Sequence, residues 1–329
     1  MLKLKHLNEN FELVKEILKR YWEHDTVGLD DMLGFYRISS NAIYPYRSQG
    51  EVCFLRLAPV EEKLNKNLYG EMELIQYLAK NNYPALRPIS SKSGDMCLDL
   101  HTPWGRYYVT SFRCVKGVQI AKTDKSSDIM YAYGKALGSL HTLSSAYRPN
   151  VKKWDHAEVL EWIHATLSEY EAPKCTFTEW KQIKESFDNL SIHTDNYGLI
   201  HYDFEFDNVF YDKNANLCSV IDFDDGMYHW YAMDIAQVFD CIEEELSNSM
   251  IEEAKTEFLK GYRSEHCLTE EMLASYSLMR RFANLYGYAR LIRCVADQFD
   301  VEPDWMSELR IQLKSEMHSK EAKMNCCKR

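Results

Sequence analysis

The sequence predicts an α+β fold in two lobes, the smaller built on an antiparallel sheet with a helix and the larger mainly helical. Three observations predict it. Short runs of Val, Leu, Phe and Tyr, bounded by Ser, Gly and Asn, recur up to Arg113 and have the make-up of strands. From Asp128 onward the apolar residues fall at helical spacing. One hairpin, set among those helical runs, carries six carboxylates at its edge. With 329 residues, 46% of them hydrophobic, the chain is long enough for two lobes with full cores. The split is expected near Arg113, giving an N-terminal lobe of residues 1–113 and a C-terminal lobe of residues 114–329.

In the first lobe a helix is expected over Phe11 to Tyr21, followed by strands at Ile43-Tyr44 and Val52 to Leu57 about the turn Ser48-Gln49-Gly50. Ser39-Ser40-Asn41 forms a small polar loop before them. Glu71 opens a helical pattern to Lys80 whose apolar face is Met72, Ile75, Leu78 and Ala79. Glu71 lies one and two turns before Ile75 and Leu78, so it points inward while Glu73 points outward. An inward carboxylate needs a partner, and Arg56 is the candidate; the alternative is a helix-terminal acid held by the helix dipole. Tyr107 to Phe112 is a further strand, running into Arg113-Cys114-Val115-Lys116-Gly117.

The strongest helix is Asp128 to His141, with Ile129, Ala132, Tyr133, Ala136, Leu137 and Leu140 on one face and Asp128 as its cap. Gly134 and Gly138, one turn apart, leave room for another element to approach closely. His141 is expected to pack and hydrogen-bond there. Glu252 to Tyr262 and Met272 to Ala296 carry the same helical spacing.

The chemistry lies in Leu199 to Gly226, LIHYDFEFDNVFYDKNANLCSVIDFDDG. Asp203, Glu205, Asp207, Asp222, Asp224 and Asp225 repel one another at short range, so the segment requires cations. Val209 to Tyr211 and Leu217 to Phe223 are strand-like and are joined by a turn of Asp and Asn residues. The resulting hairpin sets Asn208 beside Asp222, an amide carbonyl and a carboxylate that suit Mg²⁺ and leave room for substrate phosphates. Asp203 is left to accept a proton. A calcium loop beginning at Asp212, Asn214 and Asn216 is rejected, because Leu217 and Phe223 replace its required Gly and Glu.

His201-x-Asp203-x-x-x-x-Asn208, followed after a hairpin by Ile221-Asp222-Phe223, resembles the catalytic loop and metal-binding Asp of kinase-like phosphotransferases. More specifically it is similar to the family of aminoglycoside phosphotransferases, choline kinases and homoserine-type kinases. Tyr202 stands where protein kinases have Arg, and Asp234 follows Asp222 too soon for a long peptide-binding segment, so a small-molecule acceptor is implied. The resemblance implies a protein-kinase-like fold. It implies that Ser39, Ser40 and Asn41 cover the nucleotide phosphates and that Arg56, in the place usual for Lys, meets them beside Glu71. It further implies that the backbone of Arg113, Cys114 and Val115 is a hinge that binds the base. His201 and Asp234 are implied to order the catalytic loop, while Asp224, Asp225 and Glu205 fall to the acceptor or to waters around the metal.

Composition excludes other classes. A net charge of −11 argues against nucleic acid, whose affinity rests on Lys and Arg. No apolar stretch is long enough to span a bilayer, and Met1 to His6 leads into polar residues instead of a secretory core. A cytoplasmic protein is expected, with its ten cysteines reduced and with no prenylation box at Cys326 to Arg329. The sequon at Asn189-Leu190-Ser191 carries no meaning there. No protein partner is evident. The acid surplus suggests a cationic acceptor, with Trp154, Trp162, Tyr228, Trp230 and Tyr231 available as aromatic faces, although 13% aromatic content also serves a core.

The expected protein is a kinase moving the γ-phosphate of ATP or GTP, with Mg²⁺, to a hydroxyl of a small cationic molecule such as an aminoglycoside, choline or amino-alcohol. Asp203 is the catalytic residue, and Asn208 and Asp222 are the metal ligands. The alternative is a catalytically silent nucleotide or small-molecule binder. A two-metal hydrolase lacks the extra His and Asp ligands that bridge paired ions.

Overall fold

The computed structural model describes residues 11–296 and 304–326. The readings of Met1 to His6 and of the side chains of Cys326 to Arg329 lie outside the described residues.

Helix α1 (Glu12–Tyr21), entered from Phe11, buries Val14, Ile17 and Leu18 against the N-terminal sheet, and the short α2 (Leu29–Leu33) adds Leu29 and Leu33 to the same core. The sheet is antiparallel and runs β1 (Arg37–Ile38), β2 (Ala42–Ser48), β3 (Glu51–Pro59), β6 (Gly105–Arg113), with β4 (Arg87–Pro88) and β5 (Cys97–Thr102) both paired to β6. Tyr44, Tyr46, Leu55, Leu57 and Val109 are fully buried in it. Gln49 and Gly50, both at positive φ, make the β2–β3 turn.

Helix α3 (Asn65–Lys80) begins six residues earlier than its apolar pattern indicates. Asn65 to Gly70 contain few apolar residues, and Leu64 supplies no side-chain cap, so the first turns carry no helix signal. Glu71 is therefore inside the helix, and the helix-dipole alternative falls. Met72, Leu74, Ile75 and Leu78 join the large core, so α3 binds the sheet lobe to the helical one.

The helical lobe holds α4 (Ser127–Ala146), α5 (His156–Glu169), α6 (Lys174–Asp188), α7 (Ala232–Glu245), α8 (Asn248–Arg263), α9 (Glu270–Ala274), α10 (Tyr276–Ala296) and α11 (Asp304–Cys326). The six expected apolar residues of α4 are all buried, but Ser126, not Asp128, is its N-cap. The expected helix from Met272 to Ala296 is two helices that meet at Ser275. Between the helices, β7 (Val118–Gln119), β9 (Val209–Asp212) and β10 (Leu217–Val220) form a small antiparallel sheet, and β8 (Tyr197–Leu199) pairs with β11 (Tyr228–Trp230).

The glycine pair behaves as its spacing suggests. A Cβ on Gly134 would lie 1.8 Å from the Phe258 carbonyl oxygen, and one on Gly138 would lie 2.5 Å from that of Tyr262. From the other side, Gly261 brings α8 against the Tyr131 carbonyl, where a Cβ would come within 1.9 Å. Both helix backbones meet, and neither can yield without moving a helix. Gly134→Ala is expected to lower the unfolding free energy by about 3 kcal/mol, the upper end of ordinary overpacking, as read by urea denaturation.

Candidate active site

The β9–β10 hairpin sets the register of the site. Its strands pair from Val209↔Val220 to Asp212↔Leu217, and Asp212 closes the turn by accepting from the Asn214 N–H at 2.9 Å. The second strand ends three residues earlier than expected, because Asp222 takes a φ of +63°, outside the strand region. One more hydrogen bond, Ile221 N–H to Asn208 O at 3.0 Å, continues the pairing and holds Asn208 alongside the start of the Asp222 loop. The Asn208 amide turns the other way, donating to Asp203 Oδ2 at 2.8 Å and to the Asp203 carbonyl at 3.0 Å.

The loop before Asp203 hangs on Asp234, which sits fully buried in the first turn of α7. Its carboxylate accepts from the His201 N–H at 2.9 Å and the Tyr202 N–H at 2.8 Å, and it contacts His141 Nε2 at 3.0 Å. Tyr202 can then adopt a φ of +67°. His201 accepts the Asp203 N–H on Nδ1 at 3.2 Å, so its proton is on Nε2, which donates to Ile221 O at 2.8 Å. That bond ties the Asp203 loop to the Asp222 loop. His141 in turn donates to Asp234 from Nε2 and accepts from the Tyr262 hydroxyl at Nδ1, 2.8 Å away. Burial holds both imidazoles below their usual pKa of 6.5, so both are neutral.

The acids separate by partner. Asp224 accepts from Lys63 and from Asn41 Nδ2 at 3.0 Å; burial alone would raise its pKa, but Lys63 and Arg56 hold it well below the usual carboxylate range. Asp225 pairs with Arg290 at 2.8 Å. Asp203 and Asp222 have no ion-pair partner among the described residues. Asp203 is pushed up to about 8, first by desolvation and then by Glu205, Asp225 and Asp222. Asp222 opens to the cleft but is walled by protein, and desolvation followed by Asp224 lifts it to about 6. Glu205, facing solvent, is raised by partial desolvation and by Asp207 and Glu244. Among the described residues no three His, Cys, Asp or Glu side chains converge as a closed metal cage.

Across the cleft, Arg56 on β3 makes a two-pronged pair with Glu71, Nη1 to Oε1 at 2.8 Å and Nη2 to Oε2 at 2.7 Å, and its Nε donates to Thr110 at 3.1 Å. Both side chains are buried. Three of the five guanidinium N–H groups are used, leaving one on each terminal nitrogen. Burial opposes the Arg56 charge and Glu71 more than offsets it, so the group stays cationic. Ser39, Ser40 and Asn41 form the β1–β2 turn, and Asn41 reaches Asp224 while its Oδ1 stays buried without a partner. At the expected hinge, Arg113 is paired within the sheet and its side chain turns to Glu51, and the Cys114 N–H is taken by Val52 O at 3.0 Å. The open backbone donors of this segment therefore start at Val115.

A cavity of about 550 Å³ opens beside Asp203. Tyr202, Glu205, Asp225, Glu244 and Arg290 line it, with further residues from α6, α10 and α11. Its cations are largely committed: Arg280 to Asp240, Arg281 to Glu179, Arg290 to Asp225. Its aromatic wall is Tyr202. Trp230 and Tyr231 are core residues packed on His156 and His141, and Trp154, Trp162 and Tyr228 are absent from the lining as well. The sequence reading missed Lys63, Lys153 and Arg290, which hold the acid loop from distant segments without any local motif, and it left His141 apart from the site that it buttresses.

A sheet lobe with a buried cation–Glu pair, facing a loop with Asp, Asn and a second Asp, defines a kinase-like phosphotransferase. Comparison with known proteins agrees. The phosphotransferase enzyme family model matches residues 44–268, more than half of the chain. Amicoumacin kinase of Bacillus subtilis (strain 168) is 24% identical over 273 residues, covering 78% of this chain and 79% of its own length. The structure of amicoumacin kinase hAmiN in complex with AMP-PNP, Ca²⁺ and Ami superposes with a TM-score of 0.77 at 20% identity, over 97% of this chain and 96% of that one. A microcompartment-associated aminopropanol kinase gives 0.65 at 18% identity, over 94% and 95% of the two chains. The chain belongs to the phosphotransferase enzyme family, and its activity is phosphoryl transfer to a small molecule.

Two outcomes are expected from the pairs described. Arg56→Met leaves Glu71 buried and uncompensated, and urea unfolding should show a loss of about 3–5 kcal/mol. His141 has a folded pKa below its unfolded one, so its contribution is present above pH 6.5 and is lost as pH falls below that value. The stability advantage of wild type over His141→Gln should thus be constant above pH 6.5 and shrink toward pH 5, as followed by thermal unfolding.

Proposed function

We propose that the protein is an ATP-dependent kinase that phosphorylates a hydroxyl of a small, cationic acceptor. The observation that carries it is the position of Asp203, held by Asn208 at the mouth of an acidic cavity, with a carboxylate that has no ion-pair partner among the described residues. Asp203 orients the acceptor hydroxyl and takes its proton as the oxygen bonds to the γ-phosphorus and the bond to the bridging oxygen of ADP breaks. Arg56, fixed by Glu71, turns its two remaining N–H groups toward the nucleotide phosphates. Asn41 and its turn cover the phosphates, and the backbone from Val115 onward meets the base. ATP is supported by the nucleotide analogue in the related structure.

The residues present fit Mg²⁺. Asp222 and the Asn208 side-chain amide oxygen would be hard oxygen donors; the hairpin holds Asn208 alongside the start of the Asp222 loop, and burial and Asp224 disfavour the Asp222 charge, which a cation would offset. With two protein ligands the ion would rely on substrate phosphates to complete its shell, and when bound it neutralises charge on the phosphoryl oxygens. In this reading residues 1–113 serve the nucleotide and residues 114–329 the catalytic loop and the acceptor.

Glu205 and Glu244 support the cationic acceptor, since both line the cavity and neither has a cation partner among the described residues. Amicoumacin and aminopropanol, named for the related kinases, are consistent with an amine-bearing substrate. Among the described residues no helix is long and apolar enough to cross a membrane, and the thiols of Cys53, Cys218 and Cys241 are buried and unbridged, which supports a cytoplasmic setting.

Initial rates over amine-bearing and neutral alcohols, with ATP and Mg²⁺, test the proposal. Amine-bearing acceptors should be preferred, and Asp203→Asn should cut turnover by roughly 10²–10⁴ while AMP-PNP affinity stays within about threefold. A variant with turnover near that of wild type would remove Asp203 from the role.

A further inference from the structure

We propose that Lys153 is a positioning residue of the phosphotransferase, transmitting the placement of α3 to the loop Asp222–Asp225. Its side chain is 1% exposed, and its ammonium donates to the carbonyls of Phe223 and Asp224, both at 2.8 Å. The partners are main-chain carbonyls, so the contact fixes the path of the backbone directly after Asp222. Holding an ammonium this deep carries a desolvation cost that two plain carbonyl bonds do not require; a neutral donor would serve for packing alone.

Lys153 belongs to a strap, residues 150–155, pressed along α3. The Glu73 carboxylate accepts from the Asn150 N–H at 2.7 Å, its side-chain amide at 2.9 Å and the Val151 N–H at 2.9 Å. Asn67 Oδ1 accepts from the Trp154 N–H at 2.9 Å. Between them Gly70 makes the close approach possible: a Cβ there would lie 2.7 Å from Lys153 Cγ and 2.9 Å from the Val151 carbonyl oxygen. The same helix carries Glu71 and therefore Arg56. A single packed path thus links the phosphate-side cation, α3, the strap and the Asp222 loop. Displacing α3 shifts both sides of the nucleotide site together.

The inference rests on the reading of Asp222 as a metal ligand, and the test separates the two. Calorimetric titration of the full chain with AMP-PNP, with and without Mg²⁺, should show a Mg²⁺-dependent gain in affinity that Asp222→Asn abolishes. Lys153→Met should keep metal-free AMP-PNP affinity within about threefold, lose about tenfold or more of the gain, and lower kcat at unchanged acceptor KM. Lys153→Arg should recover part of both. Gly70→Ala, which moves the strap and keeps the ammonium, should reproduce the loss. A wild type without the gain, or Asp222→Asn retaining it, defeats the metal reading and this inference with it. A folded Lys153→Met with full gain and kcat overturns the role of Lys153 alone. If that variant does not fold, full gain in Gly70→Ala overturns it.

Discussion

Asp203, Asp222, Asp224 and Asp225 share one loop cluster, and their repulsion is the constraint around which the site is arranged. The fold meets it unevenly. Lys63 and Arg290 each take one acid, Lys153 takes the carbonyls of Phe223 and Asp224, and Asp203 and Asp222, with no ion-pair partner among the described residues, are pushed up to about 8 and about 6 by burial and the neighbouring acids. On the proposed function, those two are the positions where a substrate or its cation would supply what the protein withholds. On the same reading, a cation arriving with the phosphates would relieve that repulsion, so the repulsion would serve binding.

Around that cluster, rigidity comes from neutral groups. His201 and His141 are uncharged, and each uses one nitrogen as donor and the other as acceptor, which fixes the Asp203 loop on the Ile221 carbonyl and the Asp234 helix on Tyr262. The network reaches the α4–α8 contact, where glycines bring the two backbones together. The Asp203 loop is thus anchored in the closely packed α4–α8 pair.

Much of this was legible from local signals. The hairpin showed in its β-rich runs and Asx turn, and the spacing from Ile75 and Leu78 turned Glu71 inward, while its pairing with Arg56 leaned on the family resemblance. What escaped has a common cause, the absence of any local signal. The first turns of α3 carry no apolar period and no cap. The strand end at Val220 depends on the backbone of Asp222, not on its neighbours' propensity. Lys63, Lys153 and Arg290 reach the acid loop from three distant segments, and the cavity draws on helices that meet only in the folded chain.

Tyr202 and Asp222, on either side of the catalytic centre, both hold left-handed backbone without being glycine. Such conformations cost on the order of 1–3 kcal/mol each. At Tyr202, buried in the large core, loss of the ring to glycine would outweigh any relief of that cost, whereas at Asp222, exposed to the cleft, glycine would relieve the cost and remove the carboxylate. At Asp222, drift toward a more stable chain therefore runs against the carboxylate proposed to hold the metal. A lineage that no longer needed that carboxylate would be expected to lose it early.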